Sequence, residues 1–366
     1  MRIRLLTTLL FLLLASPASA GVSWVVEGHG FGHGVGMSQY GAYGYAKHGK
    51  GYRFILGHYY SGTSLGQLTA PQIVRVLLEI SPRDVGFSGA SSACGRALDP
   101  NRGYEAHRAG MSVKLRDAAG RPLASCGRRL RAAGGGTIEI AGTTYRGALE
   151  VVPTASDAGS LNTINALSVE QYVKGVIANE SPPSWPRAAL RAQAVAARSF
   201  ALTASVDGNG FDLYSDTRSQ VYGGLQSETA STNAAATATK GQVLTYGGEI
   251  AETYFSACSG GHTESVQNVF FGPAVPYLVG VPDPYDYYCP LHDWTLRFSG
   301  PEINDRLSGY LNGRLTKIVV TERGASPRIV WARLYGTGGV TRVRGDELAA
   351  ALGAYDRWMT FRKVVE

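Results

Sequence analysis

The apolar pattern is most regular between Leu167 and Leu202, LSVEQYVKGVIANESPPSWPRAALRAQAVAARSFAL. Ser168, with Gln171 three residues on, is a capping-box signature that opens a helix. That helix runs through Val173, Val176 and Ile177 and must stop before Pro182–Pro183, because a residue preceding proline is pushed out of the helical region. A second helix is expected from about Ser184–Pro186, through Leu190, Ala194, Val195 and Phe200, to about Leu202. Weak alternation at Ile73–Ile80 predicts a strand, and Thr137–Ile140, Thr143–Val152 and Leu161–Ile164 read as further short strands. Gln242–Tyr246 and Ile250–Ser256 bracket Gly247-Gly248, a hairpin signal. Tyr45–Tyr60 reads as one short helix and Thr229–Lys240 as another; from Leu315 onward strands alternate with a helix at Asp346–Leu352. Gly28–Gly44 is glycine-dense and is expected to be a loop. The stretch 81–136, rich in Gly, Ser, Ala and Arg, reads as a variable insert of loops and short strands. Together these predict an α+β fold: a mixed, β-rich domain carrying a helix pair.

Composition adds an address. Arg2 and Arg4, the apolar run Leu5–Leu14 and the small residues Ala18-Ser19-Ala20 form a signal peptide over residues 1–20, too short in its apolar part to span a bilayer. Residues 21–366 are then expected as one exported domain, secreted or held in the cell envelope, with no later transmembrane run. Loss of Arg2 and Arg4 lowers the formal net charge from +7 to +5, which suits an anionic envelope. No Lys/Arg run is interleaved with aromatics, so nucleic acid is excluded as a partner. Export also changes the reading of the four cysteines. Local disulfides, Cys94 with Cys126 and Cys258 with Cys289, are the simplest pairing. The rival is a zinc site at Cys258 and His262, extended by Cys289 and His292; no other cofactor or metal is expected.

The helix pair resembles the stage II sporulation protein D / amidase-enhancer (SpoIID/LytB) family. The carriers are EQYVKGV, then Glu180-Ser181-Pro182, then SWP, then the AL-AQAVAAR pattern. Gly28–Ala42 (GHGFGHGVGMSQYGA) resembles the family's Gly-His motif, and Phe255–Glu264 (FSACSGGHTE) with Pro276–Asp286 (PYLVGVPDPYD) resembles its downstream segment. The resemblance implies action on peptidoglycan glycan strands, as a lytic transglycosylase, or stimulation of a cell-wall amidase, and it supports metal at Cys258 and His262 in some members. The order of segments is unusual. The Gly-His motif normally closes the chain, whereas here Arg75–Glu79 and Tyr145–Val151 follow it, and Gly345–Phe361 resembles what normally precedes it. A circular permutation explains this order. It predicts that Trp24–Glu27 pairs as a strand with Trp358–Val364, and that His29 and His33 lie at the rim of the groove that holds Glu180.

Glu180 is the candidate catalytic residue. It falls in the last turn of its helix, where the macrodipole disfavours a carboxylate and raises its pKa, as a general acid requires. The bland alternative is an exposed Glu at a frayed helix end. His29 and His33 are four apart, but the intervening glycines argue against a helix and so against a metal pair; they read either as groove residues or as part of a structural turn. Ser38 and Gln39 are the hydrogen-bonding groups beside them. Gln193 and Arg198 are further substrate-binding candidates, about 140° apart on the second helix: either Arg198 meets Glu180 or a substrate carboxylate, or the two belong to a solvated polar stripe. In the polar loop Asp216–Gly223, Gln220 is a candidate contact, and Tyr222 either stacks on a sugar or is a core tyrosine with its hydroxyl satisfied.

Overall fold

A computed structural model describes residues 21–82, 84–155, 159–206 and 209–365; the signal-peptide reading of residues 1–20 lies outside them. The fold is α+β and β-rich. Five helices matter to the site: α1 (Gln39–Lys47), α2 (Tyr52–Tyr59), α3 (Val169–Glu180), α4 (Arg187–Thr203) and α5 (Ala230–Ala238).

The helix pair grows out of a seven-stranded sheet. Strand Ser160–Ser168 lies between Ile73–Pro82 and Ala148–Pro153, antiparallel to both, and Leu213–Tyr214 adds in parallel at the edge of Ile73–Pro82. Ser168 ends the strand and caps α3, with both arms of the capping box formed to Gln171. The helix ends where Ser181 turns extended ahead of the two prolines. Tyr172, Val173, Val176 and Ile177 of α3 pack against Leu190, Ala194 and Ala197 of α4 and against Val74 and Val76 of the sheet. The other side of α4 buries Ala192, Val195 and Ala196 against Ile55, Leu56 and Tyr59 of α2. A helix that is apolar on both sides belongs in the middle of a core, and small alanines let its neighbours approach closely. Truncating Ile177, wholly buried at the α3–α4 contact, to Ala is expected to cost about 2–5 kcal/mol.

Three local expectations need correction. Tyr45–Tyr60 is not one helix: α1 begins earlier, inside the glycine-dense stretch, and α2 follows after a break at 48–51. The glycines were misleading because they serve packing. A Cβ at Gly41 would fall 2.0 Å from the Tyr59 hydroxyl, and one at Gly44 would fall 2.3 Å from the Tyr285 carbonyl oxygen. The stretch 81–136 is more regular than expected. Asp84–Ser88, Tyr104–Ala109, Ser112–Asp117 and Pro122–Ser125 join Thr137–Ile140 and Thr143–Arg146 in a six-stranded sheet with its own apolar core. The second arm of the hairpin is only Glu249–Ile250.

The two ends of the described chain lie side by side. Strand Val22–His29 sits between Asp293–Ser299 and Trp358–Val365, antiparallel to both, with Val22 opposite Val365 and His29 opposite Trp358. The strand pairing expected between Trp24–Glu27 and the C-terminal run is therefore present.

Both expected disulfides form, Cys94–Cys126 and Cys258–Cys289. Zinc at Cys258 and His262 does not fit this arrangement. The Cys258 sulfur is bonded to Cys289 and offers no thiolate, and His262 Nδ1 lies 2.7 Å from the Thr263 carbonyl oxygen. Non-reducing peptide mapping of oxidised protein is expected to recover both linked pairs. Two free thiols at Cys258 and Cys289 with stoichiometric zinc would reverse this assignment.

Candidate functional site

Glu180 is the last residue of α3, and three chain segments meet at its carboxylate. Oε1 accepts the Val221 backbone N–H at 2.9 Å, and Oε2 accepts the Gln39 side-chain amide at 3.1 Å. Burial pushes its pKa up, and the two hydrogen bonds pull partly back. The expected direction is present, but burial is its main cause. Among the described residues the hydrogen bonds of Glu180 are to Gln39 and Val221, and none joins it to a second carboxylate.

The Val221 loop is pinned in place. Tyr222 N–H bonds the Ser215 carbonyl and Gly223 N–H bonds the Gly175 carbonyl of α3, both within 3.1 Å. Gln220, wholly buried, accepts the Tyr172 hydroxyl at 2.9 Å and leaves its own amide nitrogen without a partner. Tyr222 is a core residue: it stacks on Tyr172 at 5.3 Å and gives its hydroxyl to Asn165 at 2.7 Å. The sugar-stacking alternative for Tyr222 is set aside because its ring is buried.

The other candidates divide in the same way. Gln39 is the direct contact; Ser38 is its support, a buried N-cap that accepts Gly41 N–H and donates to Asp286 at 2.6 Å. Arg198 does not meet Glu180. It is wholly buried and bonds Glu170 at 2.9 and 3.0 Å, and its remaining contacts are the Ala194, Ala236 and Gln242 carbonyls. The pairing fails because α4 directs Arg198 toward the start of α3, where Glu170 sits, and Glu180 ends that helix. Gln193 is also buried, with neither amide atom bonded.

The two histidines are separated by role. His33 Nδ1 accepts the Val35 N–H, and its ring lies against Tyr254 and Phe270. Burial, with the nearby Arg328 charge, pushes its pKa down to about 4, so it is neutral at neutral pH. His29 is part-exposed on the terminal three-stranded sheet, 2.6 Å from Asp293 and tilted against Trp358.

Residues 157–246, which include α3, α4 and α5, match the Stage II sporulation protein family, SpoIID. The chain is 40% identical over 172 residues to an uncharacterised protein of Brachyspira hyodysenteriae, covering 46% of this chain and 45% of that one. It is 40% identical over 134 residues to the Amidase enhancer of Bacillus subtilis, covering 37% and 18%. With the Stage II sporulation protein D of Bacillus amyloliquefaciens it shares 32% identity over 212 residues, covering 53% and 60%. Residues 157–246 thus form a SpoIID-family segment, and the similarity to proteins named Amidase enhancer and Stage II sporulation protein D extends beyond it. The chain spans between about a fifth and three fifths of the length of these relatives.

The sequence does not announce the acidic pair that sets α1. Asp286, wholly buried, accepts Ser38 Oγ, the Ser259 and Gly260 N–H groups, and faces His292 at 3.0 Å. Asp283 accepts the Tyr59 hydroxyl and Ser259 Oγ; burial, then the Asp286 charge, pushes its pKa up to about 7. The segment PDPYD was visible as a motif, but nothing in it announced that both aspartates point inward.

Glu180 also makes a stability prediction. Its folded pKa is raised above the unfolded value of about 4.3, so the folded state holds the proton longer and stability falls as pH rises through that window. Glu180→Gln removes the penalty. The variant is expected to melt above the parent at pH 7–8 and to match it near pH 4. A difference that is constant across that range would rule out the buried carboxyl as the cause.

Proposed function

We propose that this protein is an exported peptidoglycan-remodelling enzyme, a lytic transglycosylase that cleaves glycan strands with Glu180 as its single acid/base. The carrying observation is a part-buried carboxyl with a raised pKa, held between the Gln39 amide and the Val221 N–H, with no hydrogen bond to a second carboxylate among the described residues. Hydrolytic glycosidases use two carboxylates. One is enough when the nucleophile belongs to the substrate. Glu180 gives its proton to the leaving glycosidic oxygen as the bond to the anomeric carbon breaks. The sugar's own 6-hydroxyl oxygen then bonds that carbon, and its proton passes to the Glu180 carboxylate. No water is consumed, and the intramolecular attack benefits from high effective molarity. Gln39 and Val221 fix the carboxyl and stabilise its ionised state between the two steps.

A second reading is favoured by one observation, the 40% identity over 134 residues to a protein named Amidase enhancer. In it the surface around Glu180 binds the wall and stimulates an amidase without cleaving glycan. Mass spectrometry of products from purified glycan strands separates the readings. Anhydro-sugar ends are expected; reducing ends would mean hydrolysis, and an absence of products together with faster amidase turnover would favour the second reading. Among the described residues no helix is long and apolar enough to cross a membrane.

A further inference from the structure

The residues that follow Gln39 and Glu180 in the chain build a second feature. Tyr40 is the next residue after Gln39, and Tyr43 lies one turn further along α1. Trp185 lies five residues past Glu180, in a tight turn closed by its N–H to the Pro182 carbonyl at 3.0 Å. The Trp185 ring packs 5.0 Å from Tyr40 and 5.1 Å from Tyr43. Tyr43 meets Tyr288 edge-on at 5.2 Å, and Tyr288 meets Tyr287 at 4.6 Å. None of the five rings is buried; Tyr287 and Tyr288 are 52% and 37% exposed.

The rings touch in a chain, Tyr40 and Tyr43 on Trp185, Tyr43 on Tyr288 and Tyr288 on Tyr287, and a contiguous, partly exposed aromatic patch of this kind marks an interaction site. Their chemistry is selective. Each ring offers an apolar face, and the tyrosine hydroxyls and the indole N–H supply polar edges that tolerate water. That combination suits the C–H faces and hydroxyl edges of sugar rings. It suits a fatty chain poorly, because the polar edges would be desolvated without partners. The location fits as well. Tyr43 is four residues beyond Gln39, about 6 Å along the helix axis at 1.5 Å per residue. The rings therefore continue the Glu180 site on one side, within the reach of an oligosaccharide already held at the carboxyl.

We propose that, given a glycan ligand at Glu180, Tyr40, Tyr43, Trp185 and Tyr288 form a stacking shelf that binds the sugar units next to the cleaved bond. The shelf joins two chain segments far apart in sequence, α1 and the α3–α4 turn, so ligand bound across it bridges the groups that hold Glu180.

The test is calorimetric titration with chitohexaose, a β-1,4-linked N-acetylglucosamine hexamer, in a Glu180→Gln background where turnover is suppressed. Adding Trp185→Ala or Tyr43→Ala, on separate elements, is expected to weaken binding about tenfold each. Tyr246→Ala removes a part-exposed ring that packs on Tyr277 away from the shelf and is expected to leave affinity unchanged. Melting curves confirm that each variant is folded. Parent-like affinity in both folded shelf variants overturns the shelf while leaving glycan cleavage intact. Binding that weakens as expected, in a protein whose Glu180 form yields no cleaved glycan, keeps the shelf and overturns the lyase reading. A folded parent that does not bind the hexamer overturns the shelf. If the shelf variants bind normally yet lose stimulation of an amidase, the rings are a protein-docking surface.

Discussion

Replacing Glu180 by Gln is expected to lower the rate of glycan cleavage at least about 10²-fold, equivalent to about 2.7 kcal/mol of transition-state stabilisation. The substitution is close to isosteric. The side-chain carbonyl of the introduced amide can still accept the Val221 N–H, and Gln39 can rotate its amide to offer its oxygen to the new NH₂ group. What is lost is the proton. The two partners bonded to Glu180, the Gln39 amide and the Val221 N–H, carry no carboxyl proton to replace it. Glu180→Asp is the complementary test, because it keeps the proton but withdraws it by one methylene, and a misplacement of about 1 Å can itself cost 10²-fold. Both variants are expected to retain binding to glycan. The wild-type rate should also fall as pH rises through the raised Glu180 pKa, because the acid form is the one that initiates the reaction. Measured turnover in Glu180→Gln equal to the parent would end the lyase reading and leave the wall-binding one.

Much of this site was legible before the structure because its determinants are local. The capping box at Ser168, the proline stop at Pro182 and the Ala-rich periodicity of α4 place the ends of the helix pair to within three residues. The position of Glu180 followed from these. What was not legible depends on contacts across long separations. Gln39 reaches Glu180 across 141 residues, and no local signal distinguishes it from Ser38, its buried cap. An arginine in an alanine-rich helix reads as a ligand group, whereas its partner Glu170 lies 28 residues away with no local signal that joins the two. The sequence allows Tyr222 two environments, and only packing against Tyr172 decides between them. The glycines of the N-terminal motif predict a loop that holds only for 30–36: Gly28 and His29 end the first strand, and the reading fails again at α1, where close packing rather than backbone freedom requires the glycines.

The same motif explains the largest stability effect we expect. Arg328 and Asp356 form an ion pair with both side chains at or below 1% exposure. Arg328 Nε lies 2.9 Å from Asp356, and its two terminal nitrogens hold the His262 and Ser259 carbonyls at 2.7 and 2.8 Å. The Gly-His loop closes over this pair: a Cβ at Gly34 would fall 2.4 Å from the Arg328 guanidinium carbon, and one at Gly30 would fall 2.7 Å from Asp356 Oδ2. Both glycines also have positive φ, 75° and 82°. The glycines are thus required by a charge pair supplied from the far end of the chain. Removing one partner leaves the other charge buried without compensation. Asp356→Ala is therefore expected to cost about 3–5 kcal/mol in denaturant unfolding. Arg218→Ala, which breaks an exposed pair with Asp216, should cost no more than about 1 kcal/mol. The double variant Arg328→Met/Asp356→Ala should recover part of the loss, since no unpaired charge remains, although the two carbonyls lose their donor. Because Cys258 exchanges both backbone hydrogen bonds with Phe31, loosening the 258–262 segment also frees the loop that leads to Gln39. Residual folded Asp356→Ala protein is then expected to cleave glycan more slowly than the parent. If Asp356→Ala unfolds within about 0.5 kcal/mol of the parent, a size typical of surface substitutions, the ion pair does not anchor the motif.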